Sequence, residues 1–176
     1  MFEEYLSDAN YFATTARETN REANVARRYY RASIMCGWSA MEAFANYVAL
    51  TFQEGQVLEP YELAFLNDRR FGLRRGQFTI LEKTEHHPLA EKIRLLMSRF
   101  VPDFDFDRNA SWCQMLQFKE VRDQLVHSRQ EEDETELEEY DKEISRGLSA
   151  IIDVMNVLCE GIFKRPLRKK LTDLKV

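Results

Sequence analysis

Between Ile34 and Phe52 the apolar residues Ile34, Trp38, Met41, Ala45, Val48 and Phe52 follow each other at steps of 4, 3, 4, 3 and 4. That spacing returns every side chain to one face of an α-helix and to no single face of a strand. Phe44 and Tyr47 widen the stripe, so the spacing predicts a helix at the centre of the core. Gly37 inside it suits a close approach by another helix, and Gly55 suits a helix end. A chain of 176 residues built around such a helix is one domain's length. Its 6 Gly and 4 Pro leave little material for the tight turns of an all-β sandwich or barrel.

The remaining segments follow the same period. Phe2, Tyr5, Ala9, Phe12 and Ala16 line one face of a first helix. Asn20 and Asn24 are candidate caps for the second, with one long bent helix as the alternative. Residues 55–87 are less regular; Pro60 suits the start of a short helix over 61–67. Pro88 precedes Ile93, Leu96, Met97 and Phe100. Asn109 or Ser111 is placed to cap a helix carrying Met115, Phe118, Val121 and Leu125. A run of acidic residues over 131–143 leads into a helix with Leu137, Tyr140, Ile144, Leu148, Ile151, Met155, Leu158 and Ile162, which Pro166 ends. No repeat, linker or strand stands out. The expectation is an all-α, up-and-down bundle of four to five main helices with short extra helices, over 1–163, followed by a basic tail over 164–176.

Charge narrows the function classes. Lys and Arg number 25 against 30 Asp and Glu, a net charge of −5, which argues against a broadly basic nucleic-acid-coating protein but not against a local basic patch. Arg69, Arg70, Arg74 and Arg75 around Gly72 and Gly76 form one such run, and the tail another. The plain alternative for both is solvated surface. No apolar run is long enough to span a membrane, and the start MFEEYLSDAN lacks the basic and apolar regions of a signal peptide. Cys36, Cys113 and Cys159 are widely spaced, as expected of reduced, packed thiols in a cytoplasmic protein.

Most known site spacings are absent: there is no HExxH, no P-loop and no GxSxG. His86 and His87 are adjacent and read as a surface pair before a helix, so no metal site and no cofactor is expected. The segment KEVRDQLVHSR, residues 119–129, stands apart. Val121 and Leu125 keep the core stripe, whereas Arg122, Asp123 and His127 lie off it. Five residues of separation turn Arg122 and His127 about 140° apart on an ideal helix. An Arg and a His at a helix end are also a common structural pairing. In the second helix Glu42 and Asn46 lie on a stripe with Met35, Ser39 and Ala49, beside the main apolar face. A carboxylate there needs a partner if it is buried, and Arg122 or a donor on a neighbouring helix is the candidate.

Arg122-Asp-Gln-Leu-Val-His127 resembles the R-x4-6-H motif of the HEPN (higher eukaryotes and prokaryotes nucleotide-binding) superfamily. Residues 31–49, RASIMCGWSAMEAFANYVA, are similar to that superfamily's run of small and apolar residues leading to an acidic residue and an Asn, here Glu42 and Asn46. The resemblance is specific over 31–49 and 111–129 and extends as a helical pattern over 1–163.

It implies metal-independent RNA cleavage, in which a 2′-hydroxyl attacks the adjacent phosphodiester and leaves a cyclic phosphate. His127 is then general base or acid, Arg122 holds the phosphate, and Asp123 orients one of them. It further implies a homodimer with both motifs in a shared cleft, and a toxin or defence effector with an antitoxin or other protein as partner. The subgroup with a Tyr two residues after the His is not matched, because Arg129 stands there. Asp123 takes the place of the Asn often found after the motif's Arg, and Arg129 can offset its charge. The other reading is a non-catalytic helical module that binds a nucleotide, RNA or a protein.

Overall fold

The computed structural model describes residues 1–19, 22–53, 57–127 and 135–174. Among them the chain forms α1 (Phe2–Glu18), α2 (Ala23–Thr51), α3 (Pro60–Leu66), a hairpin of β1 (Arg69–Arg74) and β2 (Gln77–Thr84), α4 (Leu89–Phe100), α5 (Ala110–His127), α6 (Leu137–Phe163) and α7 (Lys169–Thr172). The protein is thus mostly helical, with one small sheet. Gly55, Asn20, Arg129 and the acidic residues 131–134 lie outside the described residues.

The first two helices are separate. α1 ends at Glu18 and α2 starts after Glu22, so Asn24 lies inside α2 rather than at its cap. They pack antiparallel: Phe2 meets Phe44 at 5.3 Å, and Phe12 stacks on Tyr29 at 6.2 Å. Between these contacts, Ala9, Ala13 and Ala16 are buried. Such small side chains let the backbones close until Ser33 Oγ donates to the Ala9 carbonyl at 2.7 Å.

α2 is central, as its stepping predicts. Ile34, Met41, Phe44 and Val48 are fully buried, and Trp38 nearly so. α6 runs parallel to it, with Tyr30 stacked on Tyr140 at one end and Tyr47 near Phe163 at the other. α5 is antiparallel to α6, since Ser111 at its start bonds Asp153 in the second half of α6. Asn109 caps α5 by accepting from the Trp112 N–H at 2.8 Å; Ser111 does not. The Phe118 ring fills the gap between two glycines. A Cβ at Gly37 would lie 3.3 Å from it and 2.6 Å from Leu148, and one at Gly147 would fall inside the ring's van der Waals envelope.

One expectation is corrected. Residues 69–84, read as irregular, form an antiparallel hairpin whose loop is Arg75-Gly76. Both loop residues have positive φ, 51° and 79°, the conformation that suits a two-residue hairpin turn. After α6, Lys164 turns the chain back at φ 55°, and Leu167 and Leu171 are buried against the bundle. Among the described residues, no helix is long and apolar enough to cross a membrane.

Gly147→Ala tests the Phe118 packing. Helix propensity alone favours Ala by about 1 kcal/mol. The clash outweighs that, and a net loss of roughly 1–3 kcal/mol is expected in thermal or urea unfolding. A raised midpoint would contradict the packing described.

Candidate functional site

The last turns of α5 emerge beyond the Phe118 contact. Val121 and Leu125 are half-buried against the core. Arg122 lies between them in sequence with its side chain 29% exposed, and His127 is exposed in the final turn. Because α5 stays helical through His127, the two remain about 140° apart around the axis. One chain therefore does not aim both groups at one phosphate.

A charge network fixes Arg122. Its Nη1 donates to Asp123 Oδ1 at 2.8 Å, and Lys119 Nζ donates to Asp123 Oδ2 at 2.6 Å. Burial alone would raise the Asp123 carboxyl. The hydrogen bonds from Lys119 and Arg122 outweigh it and hold the group below the usual carboxylate range. Asp123 is thus an ionised clamp on Arg122. Arg122 Nε is buried without a partner among the described residues, so this edge of the guanidinium carries an unused donor. Sequence reasoning passed over Lys119; its four-residue spacing from Asp123 was the available signal.

Glu42 and Asn46 are not part of this cluster. Both are exposed on α2, and no ion pair to Glu42 forms among the described residues. The expected Glu42–Arg122 pairing fails for a geometric reason. Phe118 lies level with Gly37, and α5 runs antiparallel to α2. Arg122 is then one turn toward the start of α2 and Glu42 more than a turn the other way, roughly 13 Å apart along the axis. Nearer the start of α2, Arg27 Nε donates to the Thr135 carbonyl at 3.0 Å.

The second basic cluster sits on the hairpin. Arg69, Arg70, Arg74 and Arg75 are all exposed. The cross-strand pairs Phe71–Ile80 and Leu73–Phe78 share one face. Leu73 and Phe78 remain 65% and 64% exposed there, while Tyr61 of α3 covers part of the face through its contacts with Phe71 and Phe78. Asp68 anchors the hairpin's base: it accepts from the His87 N–H at 2.8 Å and from the buried Lys92 Nζ at 2.6 Å. His87 is not the surface residue expected from sequence. It stacks on Phe65 at 4.3 Å, whereas His86 is exposed.

Comparison with protein-family models, with curated proteins and with solved structures gives no match.

Asp68→Asn tests the anchor, because Asn tolerates the positive φ and only the charge is lost. Leaving buried Lys92 unpaired should cost about 2–3 kcal/mol, and Lys92→Met in the same chain should recover most of it. Burial would raise the Asp68 carboxyl, but the bond from His87 and the pairing with Lys92 hold it below its usual range. A depressed carboxyl stabilises above its unfolded pKa, about 3.9. The difference between wild type and Asp68→Asn should therefore shrink as pH falls below that value. A pH-independent difference in urea midpoints would contradict the pairing.

Proposed function

We propose that this protein is a metal-independent endoribonuclease with a HEPN-like bundle, acting as a homodimer whose two-fold axis passes near the C-terminal end of α5. The observation that carries the reading is the placement of the motif. Arg122, partly exposed, and His127, exposed, both lie on the last turns of α5, off the buried face of the helix. Their divergence on one helix is what a second copy repairs, since Arg122 of one chain then faces His127 of the other.

In the shared cleft one imidazole removes the 2′-hydroxyl proton as the oxygen attacks phosphorus. Water protonates the departing 5′-oxygen, and a 2′,3′-cyclic phosphate remains. Imidazole suits the base's task because it titrates near neutrality. Arg122, held by Asp123, offers its remaining donors to the phosphate oxygens, where charge builds in the transition state. The exposed arginines of the hairpin, with Phe71 and Phe78, suit the backbone and bases of a single strand. A toxin or defence-effector role, with an antitoxin as partner, belongs to this reading.

One observation favours the non-catalytic module instead. Asp123 already neutralises part of the Arg122 charge, which weakens the pull on a phosphate.

RNA incubated with the purified protein in EDTA should yield cyclic-phosphate ends. His127→Ala should lose about 10²–10⁴-fold of the rate while keeping its helicity. Arg122→Lys should not rescue Arg122→Ala, because a point charge lacks the guanidinium's fork. Wild-type protein that leaves RNA intact, or cleavage that persists in both Ala variants, would favour the binding module.

A further inference from the structure

A second site lies at the other end of the bundle and does not depend on the ribonuclease reading. The start of α1, the second half of α2, the end of α6 and the chain folding back after it enclose a cleft of about 340 Å³. That is the scale of small-ligand pockets. Its wall is a connected row of rings: Phe44 to Phe2 at 5.3 Å, Phe2 to Tyr47 at 5.8 Å, and Tyr47 to Phe163 at 6.2 Å. Tyr47 is left 45% exposed, a large aromatic surface with no cover. Cys159, also in the lining, is buried, and burial pushes its thiol up to about 11, so it lines the cleft as a neutral, apolar group.

The charges at the mouth are unequal. Glu3, Arg165 and Arg168 line the cleft. Glu3 takes Arg168 at 3.2 Å and Lys170 at 2.6 Å, so these two cations are engaged. Arg165 has no hydrogen bond or ion pair among the described residues, yet it lies close enough to act on the Cys159 thiol. The nearby Glu160 is exposed and accepts from Asn156 at 3.0 Å. The mouth therefore offers one uncommitted guanidinium beside an aromatic wall. A fork of that kind matches a planar, singly charged, two-oxygen group, whereas a polyanion would need the cations that Glu3 holds.

We propose that this cleft binds a small aromatic carboxylate, its ring system against Tyr47 and Phe163 and its carboxylate on Arg165. Titration calorimetry of the full chain, without RNA, tests it with 2-naphthoate and the uncharged 2-naphthylmethanol as probes. Naphthoate should bind about tenfold more tightly than the alcohol, the scale of a charge-assisted hydrogen bond. Arg165→Gln, an exposed position, should bring the two probes to parity by weakening naphthoate alone. Ala43→Trp, which fills the cleft from α2, should abolish both with an unchanged circular dichroism spectrum. The proposal is overturned if naphthoate gives no binding heat at millimolar concentration. It is overturned equally if Arg165→Gln binds naphthoate as wild type does, or if folded Ala43→Trp still binds the probes.

Discussion

The Phe118 ring between Gly37 and Gly147 sets the geometry on which the rest depends. Two helices that lack side chains at the contact let a third insert a ring, and close packing of that kind tolerates little adjustment. The contact fixes the level of α5 against α2 and α6. It thereby decides which residues of α5 remain in the core and which pass beyond it. Met115 and Phe118 are buried, Val121 and Leu125 are half-buried, and His127 is exposed. The candidate site is the part of α5 that this packing leaves over.

Electrostatics then act locally on two such projecting elements. Asp123 joins Lys119 and Arg122 on α5, and Asp68 joins the hairpin's base to Lys92 on α4. In each case burial opposes the carboxylate and hydrogen bonds to it prevail, so both groups stay ionised across the neutral range. The hairpin needs such an anchor. Two strands alone are marginal in water, and nearly all the side chains of this pair are exposed.

The helical frame was legible because burial imposes the period that sequence displays: α2 follows the stepping from Ile34, and Asn109 and Pro88 mark the starts of α5 and α4. The hairpin was not legible. Its alternation of Phe71, Leu73, Phe78 and Ile80 is short, and Arg75 is an unusual residue for a positive-φ turn position. The Arg122, Asp123 and His127 cluster was readable as a motif, since it lies within one helix. Glu42 was misplaced because its distance from Arg122 depends on how α2 and α5 align, which no single-helix spacing encodes. The cleft around Tyr47 draws on three stretches distant in sequence, and only the fold-back after Lys164 brings Arg165 to it.

The central claim is that α5 supplies half of a site and a second copy supplies the rest. Mixing the Arg122→Ala and His127→Ala proteins tests it most directly. If each site takes Arg122 from one chain and His127 from the other, half the dimers in an equal mixture are hybrids with one intact site of two. Two inactive proteins should then recover about a quarter of the wild-type RNA-cleaving activity, as a two-fold interface requires. A mixture as inactive as either protein alone, with subunit exchange verified, would contradict the account.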